Sequence, residues 1–197
     1  MKEEYEFGPE RPGNFTVSEK KLKKLCPELY GTGKFNPSKM FAKSSIKRFV
    51  KIGDCQPAVV LKTKPLMVAA FADELDCIAM LRFPEKLADT YELVEGSRLL
   101  SVNTYTEMEG MLCADLDKGP EDSGIFEGFQ PIIIQFLSDE ESRMEEIMDS
   151  FEPVLWEKAF QLGKEYMRSY PGVFRDGNPL RSEELSKDSK RKLKKKL

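Results

Sequence analysis

Three short apolar runs, Ala58–Thr63, Leu66–Phe71 and Cys77–Phe83, follow one another with almost nothing between them. Lys64-Pro65 separates the first two, and Asp73-Glu74-Leu75-Asp76 the last two. Parallel strands need a crossover of about a dozen residues or more, so connections this short admit only antiparallel neighbours. The runs therefore predict a three-stranded meander beginning after Pro57. A buried helix is the rival reading of Leu66–Phe71, and the turn residues on either side favour the strand. Apolar side chains fill both parities of the runs, which predicts cover on both faces of the sheet.

Helical periodicity surrounds the meander. Thr16-Val17-Ser18-Glu19 has the spacing of a capping box, and Leu22, Leu25, Cys26 and Leu29 follow at helical intervals. Pro27 interrupts that stripe, so the first helix is expected to stop near Leu25. After the break at Gly31-Thr32-Gly33, Asn36-Pro37 opens a second helix, expected to reach about Val50. Pro84 starts a short helix through Leu87, Ala88 and Tyr91, and Glu95-Gly96-Ser97 turns into a strand at about Arg98–Tyr105. Residues 106–128, with four glycines among acids, read as a long loop, and Pro131–Leu137 as the most apolar strand. Ser138-Asp139-Glu140-Glu141 is a second capping box, ahead of Met144, Ile147, Met148 and Phe151 on one face. Glu152-Pro153 begins a helix with Trp156, Ala159, Phe160, Gly163, Tyr166 and Met167 on its apolar side, ended by Pro171-Gly172. Arg175-Asp176-Gly177-Asn178-Pro179 reads as a turn.

Strands in succession, not alternating with helices, predict an α+β fold in one domain. Its sheet is largely antiparallel, with the two C-terminal helices packed on it and two N-terminal helices besides. Ile147, Phe151, Trp156 and Phe160 are expected in the core. A mixed sheet, with Pro131–Leu137 paired in parallel, is the alternative. Residues 1–14 read as an extended arm, 15–180 as the domain and 181–197 as a basic, disordered tail. The 197 residues suit a single domain of this kind.

Charge is laid out unevenly. Lys20 to Lys51 holds ten basic residues and one acid, Glu28, a balance of +9, whereas residues 52–180 hold 11 basic and 25 acidic, a balance of −14. The last 17 residues return to +5. Such a distribution bears on partners and encounter rates, not on fold. The N-terminus is acidic and lacks an apolar core, so no secretory signal is expected, and no apolar run approaches the length of a membrane span. These features predict a cytoplasmic protein.

The chain contains no histidine. That excludes Ser-His-Asp and Cys-His nucleophile pairs, His-ligated metals and imidazole acid–base chemistry. The four cysteines, Cys26, Cys55, Cys77 and Cys113, are irregularly spaced without a Cys-x-x-Cys pair. A zinc site would need all four, gathered from separate elements, so reduced and mostly buried thiols without disulfides are expected.

Lys39, Lys43, Lys47 and Lys51, with Arg48, recur at four-residue steps on the second helix. Such steps drift by about 40° each and make a slanted basic ridge, a candidate surface for an anionic partner. The plainer reading is a solvated face opposite Met40, Phe41, Ile46 and Phe49. The lysine-rich tail is a solubilising end or a nucleic-acid arm. Asp115-Leu116-Asp117-Lys118-Gly119 starts like a calcium loop but misplaces the glycine and has Phe126 where a bidentate Glu is required. A carboxylate site joining Asp73 and Asp76 to Asp115 and Asp117 is the weaker metal alternative. Glu107 and Glu109, beside the Arg98–Tyr105 strand, are the nearest approach to a paired-carboxylate catalytic site, since i, i+2 spacing puts both on one face if the strand extends that far. Solvated loop acids are the plainer reading.

The sequence thus predicts a binding or interaction protein without catalytic chemistry and without a cofactor. Its partner would be a protein or an anionic polymer contacted by the basic 20–51 segment, with no membrane involved. The alternative from another class is a metal-dependent hydrolase built on the 106–128 loop and the 73–76 turn.

Overall fold

The computed structural model describes residues 9–30, 36–110 and 112–194. A two-residue connection at Lys64-Pro65 and the turn at residues 73–76 leave the chain no room to cross over, so the three apolar runs pair as a meander. They are β1 (Asp54–Thr63), β2 (Leu66–Ala72) and β3 (Cys77–Phe83). Ala58 faces Ala70 across β1 and β2, and Ala70 faces Ala79 across β2 and β3. The register slips between Val60 and Lys62, where β1 carries a bulge. On the far side of β1 lie β4 (Arg98–Thr106) and then β5 (Gly128–Ile133), both antiparallel to their neighbours. β6 (Arg175–Asp176) pairs in parallel with Leu81 and Arg82 of β3. The six strands are thus ordered β5-β4-β1-β2-β3-β6 in a single α+β domain.

The sheet curls. Arg175 on β6, at one end, reaches the Phe129 carbonyl on β5, at the other, over 3.1 Å. Small side chains on the concave face, Ala58, Ala70, Ala72 and Ala79, allow the strands to wrap this tightly. Both faces are covered, as the double parity of apolar residues requires. On the convex side α5 (Pro153–Ser169) lies against β1, β2 and β3. It approaches so closely at Gly163 that a Cβ there would sit 2.8 Å from that of Ala69. Phe151 and Trp156 are buried in this core, and Ile147 and Phe160 pack on it half-buried. The same core takes Leu22 of α1 (Glu19–Leu25), Ile46 and Val50 of α2 (Pro37–Ile52), and Met144 of α4 (Glu141–Asp149). The concave side is closed by α3 (Lys86–Thr90) at one end and by the 112–127 segment at the other.

Four local expectations change. Pro131–Leu137 is not one strand: β5 ends at Ile133, and residues 134–136 form a 3-10 turn. That turn swings Phe136 between Phe83 and Tyr91, with ring centroids 4.9 and 5.0 Å away. The parallel pairing raised for this strand does not occur, since β5 runs antiparallel to β4. The second capping box forms only in part: the Ser138 hydroxyl accepts from the Glu140 N–H at 3.3 Å, but the helix starts at Glu141 and its N-cap, Glu140, makes no side-chain capping bond. Glu140 turns away from its own helix and accepts a hydrogen bond from the Thr16 backbone N–H at 2.7 Å. At the first box Ser18 stands at the N-cap, but its side chain makes no capping bond.

The fourth change concerns the lysine-rich end. Residues 187–194 form a helix, α6, with Leu193 buried in the main core and Ser189 bonded through its hydroxyl to the backbone of Phe174. A pattern of Leu185, Ser189 and Leu193 at four-residue steps supplies an inward edge that the density of lysines hides. Residues 1–8 of the expected arm and 195–197 of the expected tail lie outside the described residues, as does the 31–35 break. The described part of the arm runs extended beside α2 and β1, through Gly13 N–H to the Gly53 carbonyl and Cys55 N–H to the Arg11 carbonyl.

Candidate functional site

α2 begins where Asn36 accepts a hydrogen bond from the Ser38 N–H at 3.0 Å, with Pro37 in the first turn. Its inner edge is fixed by Ile46 and Val50, fully withdrawn into the core. At 100° per residue this orientation splits the lysine series. Lys39 and Lys43 fall toward the protein, and Lys47 and Lys51 toward solvent. Lys43 sits over the Tyr30 ring, 3.4 Å from its centroid, and 3.8 Å from Glu19. Lys47 pairs with the same Glu19 at 2.7 Å. Hydrogen bonds from Lys47 and Tyr30 hold the Glu19 carboxyl below its ordinary range. Among the described residues no acid pairs with Lys39, Arg48 or Lys51.

Half of the apolar edge expected opposite the lysines is on the outside. Ile46 and Phe49 face inward, but Phe41 is 76% exposed, Met40 56% and Ile52 46%. Around the helix, Phe41, Arg48 and Ile52 fall within about 40° of each other, and so do Met40, Lys47 and Lys51. The outward arc of α2 is therefore both basic and apolar. Exposed apolar side chains gathered with Arg on one element are what the centres of interfaces are made of.

A second constellation sits where β1, β2 and β4 meet. Asp54 and Gln56 project from β1, Ser101, Asn103 and Tyr105 from β4, and Asp73 from the end of the second strand. The Gln56 amide donates to both Asp54 and Asp73, at 2.5 and 2.6 Å. The Tyr105 hydroxyl donates to Asp73 at 2.6 Å, and Asn103 donates to the Phe71 carbonyl at 2.7 Å. The Arg11 N–H donates to Asp54 at 2.7 Å, so the N-terminal arm caps the network. Burial pushes the Asp54 carboxyl up to about 6, against the hydrogen bonds from Arg11 and Gln56 that favour its charge, and Asp73 pushes the same way as burial. A cavity of about 220 Å³ opens on the network beside Phe126.

The acids of the metal alternative are brought near one another in part. The loop docks on the turn through Gly119 N–H to the Leu75 carbonyl and Ser123 N–H to the Glu74 carbonyl. Each acid nevertheless has a partner of its own. Asp73 is held by Gln56 and Tyr105, Asp76 by Lys158 at 2.6 Å, and Asp117 by the Tyr170 hydroxyl at 2.6 Å. Asp115 is fully buried against Arg175 and accepts from Tyr166. Among the described residues, no three Asp, Glu or Cys side chains converge in a way that would hold a metal ion. Glu107 and Glu109 are exposed on the loop.

Sequence reasoning missed the Asp54–Gln56–Asp73 network because it began the first strand at Ala58, after Pro57. The signal lay in the alternation of Ser101, Asn103 and Tyr105, which marks a polar patch on one face of a strand. The four cysteines are free, with three buried and Cys113 half-buried. Among the described residues no helix is long and apolar enough to cross a membrane. No family model, curated protein or solved structure matches the chain.

Proposed function

We propose that the chain acts by binding, and that the outward arc of α2 is the surface it binds with. One observation carries the reading: Phe41 and Met40 stand in solvent on the same helix as Arg48 and Lys51, with which no acid among the described residues pairs. Leaving a phenylalanine ring in water forgoes about 1.5–3 kcal/mol that burial would return. Ile46 and Val50 already anchor the helix, so its fold does not need that exposure. The partner is a protein or a polymer with negative charge, matched to the basic segment.

Affinity capture with the full chain, against the double variant Phe41→Ser/Arg48→Glu, tests this at two salt concentrations and with or without nuclease. The expected outcome is a partner retained by the native chain, lost with the double variant and weakened by salt. Identical recovery by both would remove α2 from the function.

A further inference from the structure

The identity of the partner rests on the reading of α2 just given. From the geometry of its outward arc we infer that the partner is a protein helix with acidic residues between two apolar ones, laid along α2. Phe41 and Ile52 are eleven residues apart, which puts them about 16 Å apart along the axis and within about 20° around it. Three turns of helix separate two apolar side chains that face the same way, and a second helix with apolar anchors at that interval meets both. Between them the arc carries Ser44 and Ser45, short enough to let another helix approach, and Arg48 on the anchors' own line. Lys51 stands to one side of that line and, with Arg48, calls for carboxylates beside the partner's anchors.

Two other classes of partner fit less well. A nucleic-acid backbone needs many cations, and this face offers few. Lys43 is turned onto Tyr30 and Lys47 is already paired with Glu19, which leaves Arg48 and Lys51 at the centre of the arc. Two or three phosphate contacts give a salt slope of only about 2 to 3, against the 6–10 contacts of a strong binder. Phosphates would also leave Phe41 and Ile52 in water. A bilayer fails for a different reason. Arg48 lies on the same line between the two apolar anchors, so inserting both would draw the guanidinium below the headgroups. A carboxylate on a protein partner meets it instead with a charged hydrogen bond.

The test uses the full chain with the photo-activated cross-linker benzoylphenylalanine at position 41, and a control with it at the exposed Val154 of α5. Both are irradiated in extract of cells that produce the protein, and adducts are mapped by mass spectrometry. The expected adduct forms at position 41 and not at 154, survives nuclease and lipid extraction, and maps to a segment with at least two Asp or Glu between apolar residues about three turns apart. A synthetic peptide of that segment then binds the full chain and gains helical circular dichroism. Phe41→Ala and Arg48→Glu each weaken that binding at least ten-fold with unchanged melting temperature, and Lys23→Glu on α1 changes it less than two-fold. Adducts to nucleic acid, to lipid or to a segment without acids overturn the partner class and leave α2 as the binding surface. Equal labelling at 41 and 154 overturns the surface itself.

Discussion

Asp54 is a carboxylate whose folded surroundings move its titration toward neutral pH. Burial raises its carboxyl to about 6, above the usual 3.8, so the fold disfavours its charged form. The stability tied to that proton is fully present below the ordinary pKa and is lost as pH rises through about 6. The chain has no histidine, the side chain whose ordinary titration falls in the same range. About one unit of the shift is lost between pH 5 and 7.5, so the melting temperature is expected to fall by roughly 3–6 °C there, taking about 1.4 kcal/mol per pKa unit and about 2–4 °C per kcal/mol. Asp54→Asn keeps an acceptor for the Arg11 N–H and should flatten the profile, as calorimetry at several pH values will read. The buried pair Asp115–Arg175 behaves differently. Its guanidinium also donates to the carbonyls of Phe129, Ser182 and Glu183. Asp115→Ala leaves an uncompensated buried charge, expected to cost about 3–5 kcal/mol, and the urea midpoint should drop accordingly. The thiols give a third check. Burial pushes Cys26, Cys55 and Cys77 up to about 12 and also raises Cys113, but only Cys113 is partly open. A thiol titration of the native protein should show one group reacting well before the other three.

At the scale of elements, contact with the sheet overrides helix propensity. Gly163 lies inside α5, where alanine would ordinarily gain about 1 kcal/mol. Here an added Cβ would come within 2.9 Å of Leu61 as well as 2.8 Å of Ala69, against the rigid surface of β1 and β2. Gly163→Ala is therefore expected to destabilise the protein by about 1–3 kcal/mol, read as a lower denaturation midpoint, and a gain in stability would show that α5 can lift off its seat. The meander, the break at Pro27 and the long loop were legible because local signals agreed with the final contacts. The sequence overran β5 because Ile132, Ile133 and Ile134 offer no local reason to stop. The stop comes from Phe136, whose ring is placed by Phe83 and Tyr91 of distant segments. α2 was legible as a helix and misread in its facing. Met40 and Phe41 satisfy an apolar periodicity as well as Ile46 and Phe49 do, and only the core shows which pair it took.

Over the whole molecule, the C-terminal segment closes the fold. Carbonyls of Ser182 and Glu183 accept from Arg175, Ser189 bonds to Phe174, and Leu185 and Leu193 complete the main core. A chain ending at Arg181 is expected to melt at least 10 °C lower, whereas a disordered tail would be removable at no cost; differential scanning calorimetry separates the two. What the sequence determined by itself was the class of fold, the antiparallel order of the central strands and the chemistry that a chain without histidine forgoes. These rest on connection lengths, periodicity and composition, all of which act over a few residues. The tertiary structure decided which cations stay unpaired, which acids are neutralised, how far the lysine-rich end is built into the core and which apolar side chains remain in water. Those outcomes depend on contacts between residues distant in sequence. Glu19 meets Lys47, Asp115 meets Arg175, and Thr16 meets Glu140 only after the sheet has curled and the helices have docked.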